Sequence, residues 1–526
     1  MQLQKIPFRS THAFTEFFLK YIEKHTELKP FYGQYPSVES FKAQIKLKSS
    51  FPDSTRKVLV DSLRRQYEGI KSTPEVDQNI QSLLKSNTFT VTTGHQLATF
   101  TGPLYFIYKI ITAIKTCRVL KKQYPDAHFV PIYWMASEDH DYEEIKSFRL
   151  YGKKYTWETN QQGAVGRFHT KDMNALLDQV PGAIDLFREA YTKGKTLSEA
   201  VRMLVHALFK SEGLVVIDAD DRSLKELLKP VIRDDIFKHT PNTRVTETNK
   251  QLESLGLHPQ VNPREINFFY LDAGLRSRIE RAGDSFVVVD TPMSFSAASL
   301  EKKIEDNPEM FSPNVILRPL YQEIILPNLA YIGGPAELVY WLELKGVFEH
   351  FGVPFPILLP RNFALVVDAP TSRKLSRTNL PLDAFFSDKN TLNNRWVAQH
   401  SQNELSLDRE IKALDALMNQ VKSRCEIVDA SLSPMAEAQQ VRMKKMMATM
   451  EKKLLRAEKR RHSDSLRQIE AVKDTLYPNG NLQERTDNFL NFSQQDPSFI
   501  DHLLEYFDPF DFQFNVLSYH DKKGTA

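Results

Sequence analysis

The sequence is poor in the features that define several classes of protein. Its 526 residues include only two cysteines, Cys117 and Cys425, which excludes a disulfide-stapled scaffold and a zinc site built from cysteine pairs. No stretch approaches the roughly 18 consecutive apolar residues of a membrane-spanning helix, and Met1–Phe18 lacks the apolar stretch of a signal peptide. We therefore expect a cytoplasmic protein without a membrane segment.

The sequence also lacks a large excess of positive or negative charge. Its 69 Lys and Arg residues nearly balance its 66 Asp and Glu residues and leave a net charge of +3. This balance is not that of a nucleic-acid-binding protein or of an acidic tail. The exception is Pro434–Asp474, with 11 Lys and Arg against 6 Asp and Glu. This segment is either a solvated helical surface or a surface that receives a polyanion or nucleotide. It has no aromatic residue with which bases are usually gripped, so we expect no nucleic-acid partner.

A βαβ unit is the clearest structural signal. Thr88–Thr93 alternates and is rich in β-branched residues, which predicts a strand. A glycine-containing turn follows, then a strongly apolar helix from Leu104 to Leu120 and a second apolar strand from His128 to Ala136. A strand, a helix and a strand in this order predict a parallel sheet with a right-handed crossover.

The rest of the chain predicts an α/β core with two insertions. A chain of 526 residues is too long for one ordinary core, so we expect more than one domain. The core, 1–375, is predicted to be Rossmann-like, with insertions at about 142–212 and 239–312 that do not follow the alternation of strands and helices. The remaining predicted strands are Leu214–Ile217, Phe286–Val289 and Pro356–Leu359, and the helices beside them are Arg222–Phe237 and Ala336–Phe351.

A helical arm is predicted at 376–476. Eight apolar-type positions from Leu407 to Leu432 are spaced alternately by four and three residues, as in a coiled coil. Pro434 then begins a second helix, whose predicted seam is Met443, Met447, Met450, Leu454 and Ala457. Two such helices form an antiparallel hairpin, and we expect the uncovered part of the longer seam to form a homodimer. The aromatic-rich segment 477–526 is expected to pack back on the core or the arm.

The first candidate site is the turn after the first core strand. In open α/β sheets, ligands bind beyond the carboxyl ends of the strands, where helix N-termini favour anions. Lys109 lies in an otherwise apolar helix, so it either extends to the surface or faces an anionic ligand. The turn itself is either structural or part of the site. Its candidate residues are Gly94, His95, Gln96, Gly102, Tyr105 and Lys109.

The second candidate site follows the next strand. Glu138, Asp139 and His140, with Asp141 after them, could bind a divalent metal, act as a general base towards an amine, or hold the ammonium group of an amino acid. The alternative is a solvated acidic loop. No second histidine falls at helical spacing, so we predict no dedicated metal site.

The third candidate site combines polar residues with two arginines near strand ends. Arginine is suited to bidentate recognition of carboxylate or phosphate, and glycines before a helix allow close approach of a ligand. Each residue taken singly could equally be structural. Asp218, Asp220 and Asp221 form a weaker fourth candidate, and the alternative for Asp221 is that it only caps the next helix. The third site comprises Arg318, Gln322, Asn328, Tyr331, Gly334, Glu337 and Arg361.

Several sequence blocks together resemble the bacillithiol synthase family across essentially the whole chain. They are TGHQ and TGPLYFIYK, WMASEDHD, RPLYQEIILPNLAYIGGPAELVYWLEL, PFPILLPR and LYPNGNLQER. The resemblance implies a core similar to nucleotidyl transferases, a coiled-coil homodimer, and a ligase that joins L-cysteine to the amine of glucosaminyl malate by an amide bond. An amide does not form from a free carboxylate without activation, so ATP or a related nucleotide is the expected energy donor. No P-loop or G-x-G-x-x-G motif is present.

The resemblance and the residues together suggest roles for the three groups. The turn with Lys109 would hold phosphate or the malyl carboxylates, and Glu138, Asp139, His140 or His95 would act in catalysis. Arg318 and Arg361 would bind carboxylates, while Gln322, Asn328 and Tyr331 would contact sugar hydroxyls. Two alternatives remain open: a nucleotidyl transferase acting on another small substrate, and a non-catalytic coiled-coil scaffold.

Overall fold

The computed structural model describes residues 1–181 and 185–519. Residues 182–184 of the first predicted insertion and 520–526 of the predicted C-terminal segment lie outside the described residues. The strands are β1 (Gln2–Pro7), β2 (Thr88–His95), β3 (His128–Met135), β4 (Ser147–Leu150), β5 (Lys153–Thr156), β6 (Val215–Asp218), β7 (Phe268–Asp272), β8 (Leu275–Ala282), β9 (Ser285–Val288), β10 (Ser294–Ser296), β11 (Phe311–Pro313), β12 (Asn328–Gly333), β13 (Ile357–Pro360), β14 (Phe363–Val367) and β15 (Gln513–Ser518).

The helices fall into those of the core with its insertions and those of the C-terminal part. The first set is α1 (Glu16–Ile22), α2 (Phe41–Lys48), α3 (Asp53–Gln66), α4 (Pro74–Ser82), α5 (Tyr105–Gln123), α6 (Tyr142–Ile145), α7 (Asn174–Leu177), α8 (Asp185–Lys193), α9 (Leu197–Phe209), α10 (Arg222–Lys225), α11 (Lys229–Lys238), α12 (Thr240–Ser254), α13 (Ala297–Asp306), α14 (Leu317–Ile325), α15 (Pro335–Leu342) and α16 (Lys345–His350). The second set is α17 (Ala369–Arg377), α18 (Lys389–His400), α19 (Asp408–Val428), α20 (Ser433–Arg461), α21 (Ser463–Leu476), α22 (Leu490–Ser493) and α23 (Phe499–Tyr506).

The central sheet is parallel and has the strand order β13-β12-β2-β3-β6. β2, α5 and β3 form the predicted βαβ unit, and the predicted α/β fold class is confirmed. From β2 the chain continues to β3 and β6 on one side, whereas β12 and β13 lie on the other. The carboxyl ends of β2 and β12 therefore flank the point where the strand order reverses, which is where open α/β sheets bind ligands.

The structure describes three further sheets besides the central one. The first insertion contains the β4-β5 hairpin, and the second contains a sheet of order β10-β9-β8-β7-β11. β9 corresponds to the predicted strand Phe286–Val289, but it pairs antiparallel with β8 and β10 and not with the core. The third sheet joins both ends of the described chain, because β15 pairs with β1 and with β14. The C-terminal segment thus packs on the core.

Two helices predicted as continuous are interrupted. The helix predicted over Arg222–Phe237 is divided into α10 and α11, because Pro230 is suited to the first turn of a new helix. The helix predicted over Ala336–Phe351 is divided into α15 and α16 around Glu343, whose side chain is fully buried and accepts from the backbone of Gln260 at 2.7 Å. No helix among the described residues is both long enough and apolar enough to cross a membrane.

The arm is an antiparallel hairpin of α19 and α20, but of the predicted seam of the second helix only Met447 lies on the contact face, and the other four residues are exposed. Met443, Met450 and Leu454 are 40%, 50% and 42% exposed, and Ala457 is also exposed. The face of α20 towards α19 is largely polar: Gln440 donates to Asp415 at 2.8 Å, and the Glu451 carboxylate accepts from the Leu407 backbone at 3.3 Å. These polar contacts rotate the methionine stripe outward. The residues of the contact face are Ala436, Gln440, Met447, Glu451, Leu455 and Glu458.

Candidate functional site

A cavity of about 260 Å³ lies at the carboxyl ends of β2 and β12. Twelve of the predicted site residues line it, so the turn and the arginine-containing segment converge from distant parts of the sequence. The twelve are Gly94, His95, Gln96, Tyr105, Lys109, Asp139, Arg318, Gln322, Tyr331, Gly334, Glu337 and Arg361.

Lys109 neither extends to the surface nor stands free. Its ammonium donates to the Gly94 carbonyl at 2.7 Å and lies 2.6 Å from a Glu337 carboxylate oxygen. Burial lowers the pKa of Lys109 despite the attraction of Glu337. Burial opposes ionisation of Glu337, but Lys109 and the Gly334 N–H, which donates at 2.6 Å, hold the pKa of Glu337 below its usual value. The anion that faces Lys109 is therefore supplied by the protein itself, and the pair ties α5 to the start of α15.

His95 is a neutral imidazole at the end of β2. Its Nδ1 lies 2.7 Å from the Gln96 carbonyl oxygen. A carbonyl can only accept, so Nδ1 carries the proton and Nε2 keeps a lone pair. Burial, reinforced by the positive charge of Lys109, lowers the pKa of His95 to about 4. At neutral pH, His95 is thus a neutral imidazole whose Nε2 carries no proton.

Asp139 is held as a carboxylate at the cavity wall. Gln96 Nε2 donates to its Oδ2 at 3.2 Å, and the His140 N–H donates to its Oδ1 at 2.8 Å. Burial alone would raise the pKa of Asp139, but the positive charges of Arg318 and Arg276 bring it below its usual value. A fixed negative charge beside a neutral base is suited to orienting a substrate ammonium group.

Among the described residues, three arginines line the cavity, and two of them, Arg318 and Arg361, belong to the predicted site. In the described part of the chain no carboxylate forms an ion pair with Arg318, although Tyr340 and Asp139 raise its pKa against the effect of burial. Arg361 is paired with Glu484 at 2.5 Å, and its Nη1 donates to the Asn362 carbonyl at 3.0 Å. Its buried Nε has no hydrogen-bond partner among the described atoms. Both arginines therefore retain donor capacity for an anionic ligand.

Four predicted site residues lie outside the cavity. The Glu138 carboxylate is paired with the buried Lys225, and burial raises the pKa of Glu138. His140 Nδ1 accepts from Arg276 at 2.7 Å on the protein surface. Asn328 is fully buried and accepts from Thr92 at 2.8 Å, so it holds β12 to β2 and cannot contact a sugar.

Gly102 is the fourth of these residues and shapes the turn. It has a φ of 59°, and a Cβ there would lie 2.5 Å from the Ala98 Cβ. Its carbonyl accepts from Asn488 Nδ2 at 2.7 Å. Only glycine fits this left-handed, crowded position, and its role is to bend the chain.

The weaker aspartate cluster is structural. Asp221 caps α10, since its side chain accepts from the Ser223 and Leu224 N–H groups at 2.9 and 3.2 Å, as its helix-cap interpretation predicted. Asp220 is paired with Arg167 at 2.7 Å. In the described part of the chain, no three His, Cys, Asp or Glu side chains are placed together to hold a metal ion.

Eight lining residues were not among the predicted site residues, and four of these have aromatic or charged side chains: Trp134, Tyr340, Trp341 and Arg485. Trp341 stacks on Tyr331 with ring centroids 4.5 Å apart, and the two rings form the apolar wall. The two tryptophans and Tyr340 belong to apolar strand or helix patterns that predict core. Arg485 belongs to LQER, a block that carried the resemblance but suggested no contact with the site.

Comparison with known proteins identifies the family of the chain. Residues 1–362 match the family model described as bacillithiol biosynthesis BshC, N-terminal Rossmann-like domain, and residues 364–519 match its C-terminal coiled-coil domain. A protein of Cytophaga hutchinsonii named "Putative cysteine ligase BshC" is 39% identical over 98% of this chain and 99% of its own length. A protein of the same name from Flavobacterium johnsoniae is also 39% identical over 98% of this chain and 99% of its own length. The chain therefore belongs to the bacillithiol biosynthesis BshC family.

Proposed function

We propose that this chain is a cysteine ligase of bacillithiol biosynthesis that joins L-cysteine to the amine of glucosaminyl malate through an amide bond. The observation that carries the proposal is one cavity, at the reversal of strand order, that combines a neutral histidine, a fixed carboxylate and two arginines with free donor capacity. The names of the relatives support the cysteine ligase activity. The scarcity of cysteine supports a reducing cytoplasm as the place of action.

The arginines account for recognition of the malyl group. Malate linked through its hydroxyl keeps two carboxylates, and such dianions are bound best by guanidinium groups that are already desolvated and oriented. Arg318 and the Nε of Arg361 are both placed for this on the cavity wall. The rings of Tyr331 and Trp341 offer an apolar surface for the sugar.

His95 and Asp139 account for handling of the amines. As the sugar nitrogen bonds to the cysteine carboxyl carbon, its N–H groups become strongly acidic. The free Nε2 of His95 accepts one of these protons, and the oxygen that leaves the carboxyl carbon carries away the electron pair of the broken C–O bond. Asp139 orients the ammonium group of cysteine by charge.

Activation of the cysteine carboxyl is assigned to ATP or a related nucleotide, which supplies a leaving group on that carboxyl oxygen when bound. The described residues fit an anionic cofactor, because an adjoining cavity of about 1020 Å³ has room for a nucleotide and is lined by the cationic side chains of Lys389 and Lys473. These two lysines would hold the phosphates, which leaves the arginines to the malyl carboxylates.

A homodimer through the arm is part of the proposal. The arm exposes a row of large apolar side chains that its own hairpin does not cover, and such rows mark interaction surfaces. A two-fold dimer brings the same surface of both copies together. The row includes Leu417, Val421, Met443, Met446, Met450 and Leu454.

The test is mass spectrometry of the purified protein incubated with L-cysteine, glucosaminyl malate and ATP. The expected product has the summed mass of the two substrates less one water, and its formation depends on the nucleotide. Exchange of labelled pyrophosphate into ATP without this product would indicate a nucleotidyl transferase acting on another substrate. Absence of both reactions would leave the scaffold alternative and contradict the proposal.

A further inference from the structure

The segment Leu482–Asn488, here called the post-arm strap, follows the last arm helix and runs to the wall of the cavity. Its first contacts are with β14, whose other edge is paired to β15. The Gln483 amide accepts from the Val366 N–H at 2.9 Å and donates to the Val366 carbonyl at 3.0 Å, which imitates a neighbouring strand. The strap therefore covers an edge that would otherwise expose unpaired backbone groups.

The other end of the strap holds the turn after β2. Asn488 Nδ2 donates to the carbonyls of Phe100 and Gly102 at 2.6 and 2.7 Å, and the Asp487 carbonyl accepts from the Leu104 N–H at 2.7 Å. Phe100 has a φ of 51°, in the left-handed region that side chains disfavour. A strained turn keeps its shape only when its surroundings hold it. The strap thus contacts both β14 and the turn that leads into α5.

Between these contacts, Glu484 orients Arg361. The two side chains are 0% and 2% exposed, and the second Glu484 oxygen accepts from the Ala364 N–H at 3.1 Å. The carboxylate is therefore fixed to the sheet, and it fixes the guanidinium. With Nη2 and Nη1 engaged, the unpartnered Nε lies beside Gly334, 3.9 Å from where a Cβ of that residue would stand. Arg361 and Gly334 both line the cavity.

Arg485 is the next residue of the strap. It lines the site cavity and also the adjoining larger one, and its side chain is exposed. Within the described part of the chain no carboxylate forms an ion pair with it. The strap therefore brings the guanidinium of Arg485 to the same cavity that Arg361 lines. Glu484 fixes the guanidinium of Arg361 by its ion pair.

We infer that Arg485 is a substrate-binding residue and Glu484 a positioning residue. Arg361 and Arg485 together bind one carboxylate of the malyl group, and Arg318 binds the other. This inference rests on the proposed function, because it takes glucosaminyl malate as the substrate. It also links the arm to the site, since Glu484 and Arg485 lie in the segment that follows the last arm helix.

The test compares binding and kinetics of the full-length protein and three variants. Arg485→Ala changes an exposed residue and should fold normally, Glu484→Gln keeps the shape of the side chain, and Arg467→Ala is the matched control on α21, away from the cavity. Calorimetry measures binding of glucosaminyl malate, and methyl glucosaminide serves as a probe without the malyl carboxylates. Steady-state kinetics give KM for each substrate.

We expect Arg485→Ala to weaken binding of glucosaminyl malate about tenfold or more, as for loss of a charge-assisted hydrogen bond. KM for cysteine and binding of methyl glucosaminide should stay within about twofold of wild type. Glu484→Gln should raise KM for glucosaminyl malate more than it lowers kcat, and Arg467→Ala should match wild type.

Two results would overturn the inference while the proposed function stands. One is wild-type affinity of Arg485→Ala for glucosaminyl malate. The other is an equal change in KM for both substrates together with a lower melting temperature, which would make the strap purely structural. If the wild-type protein itself fails to bind glucosaminyl malate, the proposed function and the inference fail together.

Discussion

Replacing Lys109 by methionine tests whether the buried ion pair in the cavity wall serves stability, function or both. The variant keeps the length of the side chain but leaves the Glu337 carboxylate without its ammonium partner, which lies 2.6 Å away. Breaking a buried pair by removing one partner destabilises a protein by about 3–5 kcal/mol. Since 28% of the Glu337 side chain is exposed, water solvates part of the charge, and we expect about 3 kcal/mol.

The double variant Lys109→Met, Glu337→Gln separates the two roles. It leaves no uncompensated charge, so most of the lost stability should return. The coupling between the two positions should be about 3 kcal/mol, the upper end for residues in contact. Urea unfolding followed by the fluorescence of Trp134 and Trp341, which line the cavity, reports on this region.

Activity should not return with stability. The double variant lacks the donor that holds the Gly94 carbonyl and the charge pair in the wall, so kcat/KM should stay at least about tenfold below wild type. Additive stability losses would refute the ion pair as described. Full recovery of activity in the double variant would show that the pair serves only the fold.

Four further expectations concern single sites and the arm. Arg361→Lys should raise KM for glucosaminyl malate about tenfold, because an ammonium cannot copy a planar guanidinium; an unchanged KM would make Arg361 structural. Asp139→Asn should raise KM for cysteine with little change in melting temperature. Wild-type kinetics of this variant would show that the loop is only a solvated surface and does not bind the substrate. Burial raises the pKa of Glu343 from 4.5 to about 7. The protonated side chain therefore stabilises the fold fully below pH 4.5, and this stabilisation, roughly 3 kcal/mol, is lost as the pH rises to 7. The difference between the melting temperatures at pH 5 and pH 8 should be smaller for Glu343→Gln than for wild type. Glutamate at both Met446 and Met450, which are 56% and 50% exposed, should convert a dimer into a monomer with intact helices in light scattering, and a 60.7 kDa wild-type monomer would contradict the dimer.

Local patterns in the sequence determined the type of fold and the approximate place of the site. Alternating β-branched residues predict a strand in any context, and the order of strand, helix and strand allows essentially one handedness. The carboxyl ends of parallel strands share one edge of the sheet. The sequence therefore predicted the turn at Gly94 and the segment from Arg318 to Glu337 as separate candidate sites, and the structure brings them together because β12, a strand that was not predicted, pairs with β2.

The tertiary structure alone decided the partners of the charged groups. Lys109 is paired with Glu337 and Arg361 with Glu484, across 228 and 123 residues of sequence, and no local pattern encodes which buried charges meet. The same holds for Asn328, which has the residue type of a ligand contact but lies in a buried hydrogen-bond network.

The arm shows the same division between sequence and structure. Heptad spacing predicted two helices, but a helix carries several possible faces, and the polar partners on α19 selected the face of α20 that turns inward. Sequence spacing determines the helices and their apolar stripes, because these depend on neighbours three and four residues away. Which stripe is covered, and which carboxylate neutralises which cation, depends on groups that only the folded chain brings together.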